Sequence, residues 1–113
     1  MTLTEFLEAR IAEEEDVARA ALGASGRSSW RAKSYRVVVD DGDFEVAAAA
    51  VPTAAHMARH DPTRVLAECE AKREVIAICV SMVHPARIGD AIMVQLAAVH
   101  SAHADYDHSE WSA

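Results

Sequence analysis

Apolar residues recur at helical spacing along three long stretches of the chain. They fall at three- and four-residue steps over residues 3–22, 65–83 and 88–103, which is the period of one face of an α-helix. The pattern therefore predicts three main helices, at 1–23, 61–84 and 86–103. Pro52 precedes a short alanine-rich segment and predicts a further short helix at 52–60.

Two of these helices have recognisable starting signals. Thr2 and Glu5 have the spacing of a capping box at the N-terminus of the first helix. Asp61 followed by Pro62 predicts the start of the central helix, because Asp accepts first-turn N–H groups and proline fits the first helical position. The expected apolar stripe of the central helix is Val65, Leu66, Cys69, Ile76, Cys79, Val80 and Val83.

The C-terminal part of the central helix differs from the rest of it. Residues 75–83 are apolar on almost every side, which predicts that other elements surround this end.

The period changes to two between residues 30 and 50. Val37 and Val39 alternate with Arg36 and Val38, and an Asp-Asp-Gly-Asp turn signal follows at 40–43. This predicts a β-hairpin at 30–50, which must lie on the helices or pair with another copy to be stable. The fold class is therefore mainly α with a small β-hairpin (α+β), in one domain over 1–113 with a tail at 104–113.

Composition and charge exclude several classes of function. The net charge of −7 and the absence of a Lys/Arg cluster argue against nucleic acid as a partner. We expect no signal peptide and no membrane span, and hence a cytoplasmic protein. Cys69 and Cys79 are expected to be buried thiols rather than a disulfide. With only 5% aromatic residues, the chain should bury Tyr106 and Trp111 by folding its tail back.

An acidic run at residues 13–16 has two interpretations. It is either a solvated helix face balanced by Arg10 and Arg19, or a surface for a cation or a basic partner.

Four histidines are candidate metal ligands. His56 and His60 are four residues apart, and His100 and His103 are three apart, so each pair shares a helix face. Two such pairs on neighbouring helices could hold a divalent metal such as zinc. The alternative is that they are ordinary hydrogen-bonded histidines.

A polar hub is a second candidate site. Arg59, His60 and Asp61 are consecutive, and Arg59 could reach a tail carboxylate, that of Asp105 or Asp107. This contact is either a salt bridge that holds the tail or one wall of a ligand pocket formed by Arg59, His60, Tyr106 and Trp111. No catalytic residue is predicted, because no nucleophile has an activating base and no glycine-rich phosphate loop is present.

Four segments carry a family resemblance. They are DVARAA at residues 16–21, Trp30 before the hairpin, HMARHDPTRVLAECEAKREVI at 56–76, and the terminal H-x-D-Y…W of His103, Asp105, Tyr106 and Trp111. In these the chain resembles a family of small proteins of unknown function found in actinobacteria and their phages. It departs from that pattern at Ala104, where the family often has proline. The resemblance implies an intracellular helical domain of phage or prophage origin, in which His60, Asp61 and the tail act together.

Two hypotheses of function follow. The first is a non-enzymatic protein that binds a host protein or forms a homodimer. The second is a domain that binds a metal or small ligand through His56, His60, His100 and His103.

Overall fold

The computed structural model describes residues 1–22, 29–39, 45–82 and 86–111. Within these ranges the order of elements is α1 (Leu3–Leu22), β1 (Trp30–Lys33), β2 (Arg36–Val39), β3 (Glu45–Ala48), α2 (Val51–Arg59), α3 (Pro62–Ser81), α4 (Ala86–Ala98) and α5 (His108–Trp111). The chain is thus mostly helical with a small antiparallel sheet, which confirms the predicted fold class. The three main helices and the short helix before Asp61 are all present.

The chain divides into two compact units. Unit 1 comprises Met1–Glu13 and Cys69–Ala113, and unit 2 comprises Glu14–Glu68. The long helices α1 and α3 therefore each contribute one part to each unit. The single domain expected over 1–113 stays a prediction.

The capping box at the start of α1 is confirmed. The Thr2 N–H donates to Glu5 Oε1 at 3.1 Å, and the Glu5 N–H donates to Thr2 Oγ1 at 3.1 Å. The hydrogen bond from the Thr2 backbone lowers the pKa of the Glu5 carboxyl below 4.5, because it favours the charged form.

The core of unit 1 forms where α1, α3 and α4 converge. Both cysteines are buried there and neither is in a disulfide, as predicted. The buried apolar side chains of these helices in unit 1 are Phe6, Leu7, Ile11, Cys69, Ile76, Cys79, Met93 and Ala97.

Helices α3 and α4 approach very closely at Gly89. A Cβ atom added there would lie only 2.6 Å from the backbone oxygen of Cys79. Gly89, Met93 and Ala97 are four residues apart and buried, so together they form the inner stripe of α4. Only glycine permits this approach, since any side chain would push the two backbones apart.

Two sequence predictions about these helices were wrong. Ile88 and Ile92 belong to the apolar pattern at 88–103 that predicted this helix, yet they are exposed at 50% and 38%, because Gly89, Met93 and Ala97 face inward instead. The end of α3 is not surrounded either: Ile78 and Val80 are 57% and 59% exposed. Residues 83–85 lie outside the described ranges.

Helix α4 also ends earlier than the predicted residue 103. The His100 N–H donates to the Ala97 oxygen at 2.9 Å and the Ser101 N–H to the Ala98 oxygen at 3.2 Å. These three-residue turns replace the α-helical hydrogen bonds after Ala98. His100 and His103 therefore lie on turns rather than on one helix face.

The sheet of unit 2 has three strands in the order β1-β2-β3, one more than the predicted hairpin. Strands β1 and β2 pair from Trp30↔Val39 to Lys33↔Arg36, so only Ser34 and Tyr35 connect them. Ser34 has a φ of 58°, which suits a type II′ hairpin turn but is usual for glycine. The sequence did not predict this turn, because serine stands at the position where glycine would be the usual signal. The predicted turn at 40–43 lies outside the described residues.

Strand β2 is the centre of unit 2. It pairs antiparallel with β3, with a register shift between Val37 and Val38. Both valines are fully buried, so the in-out alternation expected from the sequence does not hold here. Helix α2 packs against β1 and β2 and buries Ala54.

We expect Gly89→Ala to destabilise the protein although alanine favours helix by about 1 kcal/mol. Its Cβ would meet the Cys79 backbone oxygen, and overpacking of this kind costs about 1–3 kcal/mol. Urea denaturation should show a net loss in the free energy of unfolding. Ala91→Gly, at an exposed position of the same helix, measures the propensity effect alone. A gain in stability for Gly89→Ala would contradict the close approach.

Candidate functional site

Asp61 is a buried polar residue of unit 2 that accepts two backbone hydrogen bonds. Its side chain is buried, with the residue only 8% exposed. Oδ1 accepts from the Arg64 N–H at 2.8 Å, which caps α3 as predicted. Oδ2 accepts from the Trp30 N–H at 3.0 Å, a contact with β1 that the sequence did not indicate. One carboxylate thus joins the start of a helix to the start of the sheet.

The residues on either side of Asp61 form a polar corner. The His60 N–H donates to the Met57 oxygen at 3.1 Å and ends α2. Arg64 donates from Nη1 to the Arg59 oxygen at 3.3 Å and from Nε to Glu68 Oε1 at 2.8 Å. The side chains of Arg59 and His60 remain exposed, so both can meet a ligand from solvent.

His56 and His60 come together at this corner. Their ring centroids are 4.5 Å apart and both residues are exposed. The contact persists although His60 lies just beyond the last residue of α2. The structure therefore brings this predicted pair together.

In unit 1 the tail closes over Phe6. Phe6 is fully buried, and Tyr106 and Trp111 are only 8% and 7% exposed, so the predicted burial of the tail aromatics is confirmed. Four rings surround that of Phe6, with centroid distances of 4.9 Å for Trp111, 5.8 Å for Tyr106, 5.8 Å for His103 and 6.2 Å for His100. The mostly edge-on geometry is favourable for aromatic pairs.

Hydrogen bonds within the tail hold this arrangement. The Tyr106 hydroxyl donates to the Trp111 oxygen at 3.2 Å. His103 Nδ1 accepts from the Asp105 N–H at 3.0 Å, so a neutral His103 carries its proton on Nε2. Asp107 Oδ1 accepts from the Ser109 hydroxyl at 2.6 Å. That bond is the main reason why the pKa of Asp107 lies below 3.8.

Arg10 is a buried cation that the sequence placed on a solvated face. The residue is 6% exposed, and its guanidinium carbon lies 5.3 Å from the centroid of the Phe6 ring. Nη2 pairs with Glu13 at 3.1 Å, whereas Nε and Nη1 have no hydrogen-bond partner among the described residues. Arg19, by contrast, is an exposed partner of Glu15 and Asp16, as expected.

The predicted composite sites are divided between the two units. Arg59, His60 and Asp61 belong to unit 2, whereas Asp105, Tyr106 and Trp111 belong to unit 1. The same holds for His56 and His60 against His100 and His103. The joint polar hub and the four-histidine metal site therefore stay predictions. Within the part of the chain that the structure describes, no group of three or more His, Cys, Asp or Glu side chains is arranged to hold a metal ion.

An apolar surface on α4 is a further candidate site. Ile88 and Ile92 line a groove of about 570 Å³ on the outer side of the helix. The groove is lined by Arg87, Ile88, Ala91, Ile92 and Gln95, and we call this set the α4 face. Val99, just beyond the end of the helix, is also exposed, at 77%.

Sequence reasoning missed Phe6, Arg10 and the α4 face as features of interest. The four-residue spacing of Phe6 and Arg10 could have signalled that they share a face. Gly89 inside a helical pattern could have signalled a close backbone approach. It could thereby have indicated that the side of α4 containing Gly89 faces the core.

Comparison with known proteins adds a family but no activity. The model of a family of unknown function, DUF6221, matches residues 1–113. No curated protein and no solved structure matches the chain. The described residues contain no helix that is both long enough and apolar enough to cross a membrane.

We expect Asp61→Ala to reduce the free energy of unfolding by about 2–4 kcal/mol, since it removes a helix cap and leaves two backbone N–H groups without their acceptor. Asp61→Asn keeps one acceptor oxygen and should lose less. Asp107→Ala removes the exposed cap of the four-residue helix α5 and is the matched control. Chemical denaturation of the three variants tests this. Equal losses for Asp61→Ala and Asp107→Ala would show that the contact with Trp30 contributes nothing.

Proposed function

The chain belongs to DUF6221, a family of unknown function, and we propose that it acts by binding another protein through the α4 face. The observation that carries the proposal is the position of the large aliphatic side chains of α4. They are exposed on the outer side, while glycine, methionine and alanine fill the inner stripe. Exposed apolar patches of this kind are typical of protein-binding surfaces.

The spacing of these residues suits a helical partner. Ile88, Ile92 and Gln95 are separated by four and three residues, which is the pattern that packs one helix against another. A single polar residue within such a stripe helps to fix the register of the two helices. We therefore propose an amphipathic helix as the part of the partner that binds.

Charge favours a different protein over a second copy. The only charged residue among the described residues lining the groove is Arg87, so an acidic group at the edge of the partner helix would be complementary to it. The net charge of −7 works against self-association. In line with the resemblance to actinobacterial and phage proteins, we propose a phage- or prophage-related protein that binds a host protein in the cytoplasm.

We expect Ile92→Glu to weaken partner binding at least about tenfold, as truncation or charging of a central contact commonly does. The measurement is capture from an actinobacterial lysate with the full chain as bait, combined with light scattering of the purified chain. Val17→Glu places the same charge at a residue that is 72% exposed on α1 and serves as the control.

Loss of a captured protein with Ile92→Glu but not with Val17→Glu supports the proposal. A dimer of the purified chain that only Ile92→Glu dissociates would show a second copy as the occupant instead. Equal binding by wild type and both variants would contradict a role for the α4 face.

A second candidate function is metal binding, and the contact between the His56 and His60 rings favours it. Two exposed imidazoles at this separation can chelate a divalent ion such as Zn²⁺ once the rings rotate. We expect untagged protein to bind Zn²⁺ in a calorimetric titration, and His56→Gln/His60→Gln to abolish that binding.

The double variant His100→Gln/His103→Gln distinguishes the two forms of the metal hypothesis. Its loss of Zn²⁺ binding as well would support the four-histidine site, and unchanged binding would support a two-histidine chelate. Zinc binding that survives both double variants would refute either form.

A further inference from the structure

Arg10 is a buried cation, and most of its hydrogen-bond donors are unused among the described residues. The residue is 6% exposed, and Nη2 pairs with Glu13 Oε1 at 3.1 Å. Nε and Nη1 are buried without a hydrogen-bond partner in the part of the chain that the structure describes. These two nitrogens carry more than half of the N–H groups of a guanidinium. Buried polar groups in folded proteins are almost always hydrogen-bonded, so Arg10 requires an acceptor that these residues do not supply.

The Phe6 ring holds the guanidinium in place but does not satisfy its donors. The guanidinium carbon lies 5.3 Å from the centroid of this fully buried ring. The face of an aromatic ring attracts a cation through its quadrupole, whereas a full hydrogen bond needs an acceptor atom in the direction of the N–H group. Arginine also keeps its charge in proteins, so it does not become neutral on burial. The result is a positive charge fixed against a buried ring.

A buried charge of this kind is costly to stability, and its presence is therefore evidence for a function. Replacing buried charged groups with apolar ones of similar volume often leaves a protein equally stable or more stable. Proteins depart from such local rules mainly at functional or strained sites. A guanidinium that is shielded from water binds an oxyanion more strongly than the same group does in water. Arg10 therefore has the chemistry of an oxyanion-binding residue.

The ion pair with Glu13 gives a ligand its route to Arg10. The Glu13 side chain is 61% exposed, whereas that of Arg10 is 7% exposed. Because the Glu13 carboxylate is mostly in water, its contact with Nη2 contributes little free energy. It can turn into solvent without disturbing α1, and a carboxylate from solution can then take its place at Nη2. Glu13 is thus a competitor that belongs to the chain itself.

Charge and enclosure restrict the ligand. The Glu13 carboxylate and the net charge of −7 disfavour an anion with two negative charges, such as phosphate. A carboxylate carries one charge, and its two oxygens match the planar guanidinium. Since Arg10 is enclosed by protein, the smallest acids should fit best.

We propose that Arg10 binds a small monocarboxylate, of the size of formate or acetate, which replaces Glu13 as its partner. This site uses no residue of the α4 face and none of the four candidate histidines. It therefore goes beyond both proposed functions, and its test involves neither a partner protein nor a metal.

The test follows the side-chain Nε–H signal of Arg10 by NMR while acetate replaces chloride at constant ionic strength. We expect a saturable shift with a Kd on the order of 10 mM, within the range open to a ligand of this size, and weaker binding of phosphate and of the larger benzoate. Arg10→Met keeps most of the side-chain volume. It should abolish the acetate-dependent shifts of the backbone amides of residues 6–13 without lowering the urea midpoint of unfolding. Arg19→Met removes an exposed arginine of the same helix that pairs with Glu15 and Asp16, and it should leave acetate binding unchanged.

Glu13→Ala tests the displacement step with a change to an exposed side chain. Removing the competitor should lower the Kd for acetate by about threefold or more, because Arg10 is then always available. Glu8→Ala removes the same charge from another exposed position of α1 and should have a smaller effect. If Arg10→Met does not fold, the comparison of Glu13→Ala with Glu8→Ala decides.

Four results would each overturn the proposal. The first is an Arg10 signal that does not respond saturably to acetate, and the second is an equal response of Arg10→Met and Arg19→Met. The third is acetate binding by Glu13→Ala that is no tighter than that by Glu8→Ala. The fourth is phosphate binding that is tighter than acetate binding.

Discussion

The Asp61 carboxylate is the interaction on which unit 2 depends most. It is a buried charge whose two oxygens accept from backbone N–H groups 31 and 3 residues away in sequence. A buried carboxylate is costly unless its acceptors are used, so the start of β1 and the start of α3 must stay together. These two hydrogen bonds of Asp61 also fix the position of the corner that contains His56, His60 and Arg59. The rings of His56 and His60 are thereby kept within contact distance on an exposed surface.

Local signals in the sequence were sufficient for much of the fold. The capping box of Thr2 and Glu5, the Asp61-Pro62 helix start and the burial of both cysteines were predicted because each depends on neighbouring residues or on simple apolarity. The burial of Tyr106 and Trp111 was also predicted correctly. What the sequence could not show depended on distant contacts: the Trp30 hydrogen bond to Asp61, and the strand formed by residues 30–33, whose turn uses a left-handed serine.

The candidate site on α4 could not be predicted from the sequence either, because the side of the helix that faces the core is set by a contact with α3. Periodicity assigns the largest aliphatic residues to the core, and on that rule Ile88 and Ile92 belong inside. Their exposure follows from the contact of Gly89 with α3. That contact depends on the small volume of glycine and not on the hydrophobicity of its neighbours. Because the side of α4 with Gly89 faces α3, the side with Ile88 and Ile92 is exposed to solvent. Likewise, Arg10 is buried beside the Phe6 ring, a position that its charge did not predict.

The division of the chain has a consequence for its biosynthesis. Unit 2 is continuous in sequence, so all of its residues are available once residues 14–68 have left the ribosome. Unit 1 is assembled from both ends of the chain, and Phe6 meets its ring partners only after Trp111 is made. At translation rates of about 5–20 residues per second, this segment waits on the order of ten seconds with its apolar side uncovered. A nascent chain of this design is therefore a natural client for ribosome-associated chaperones.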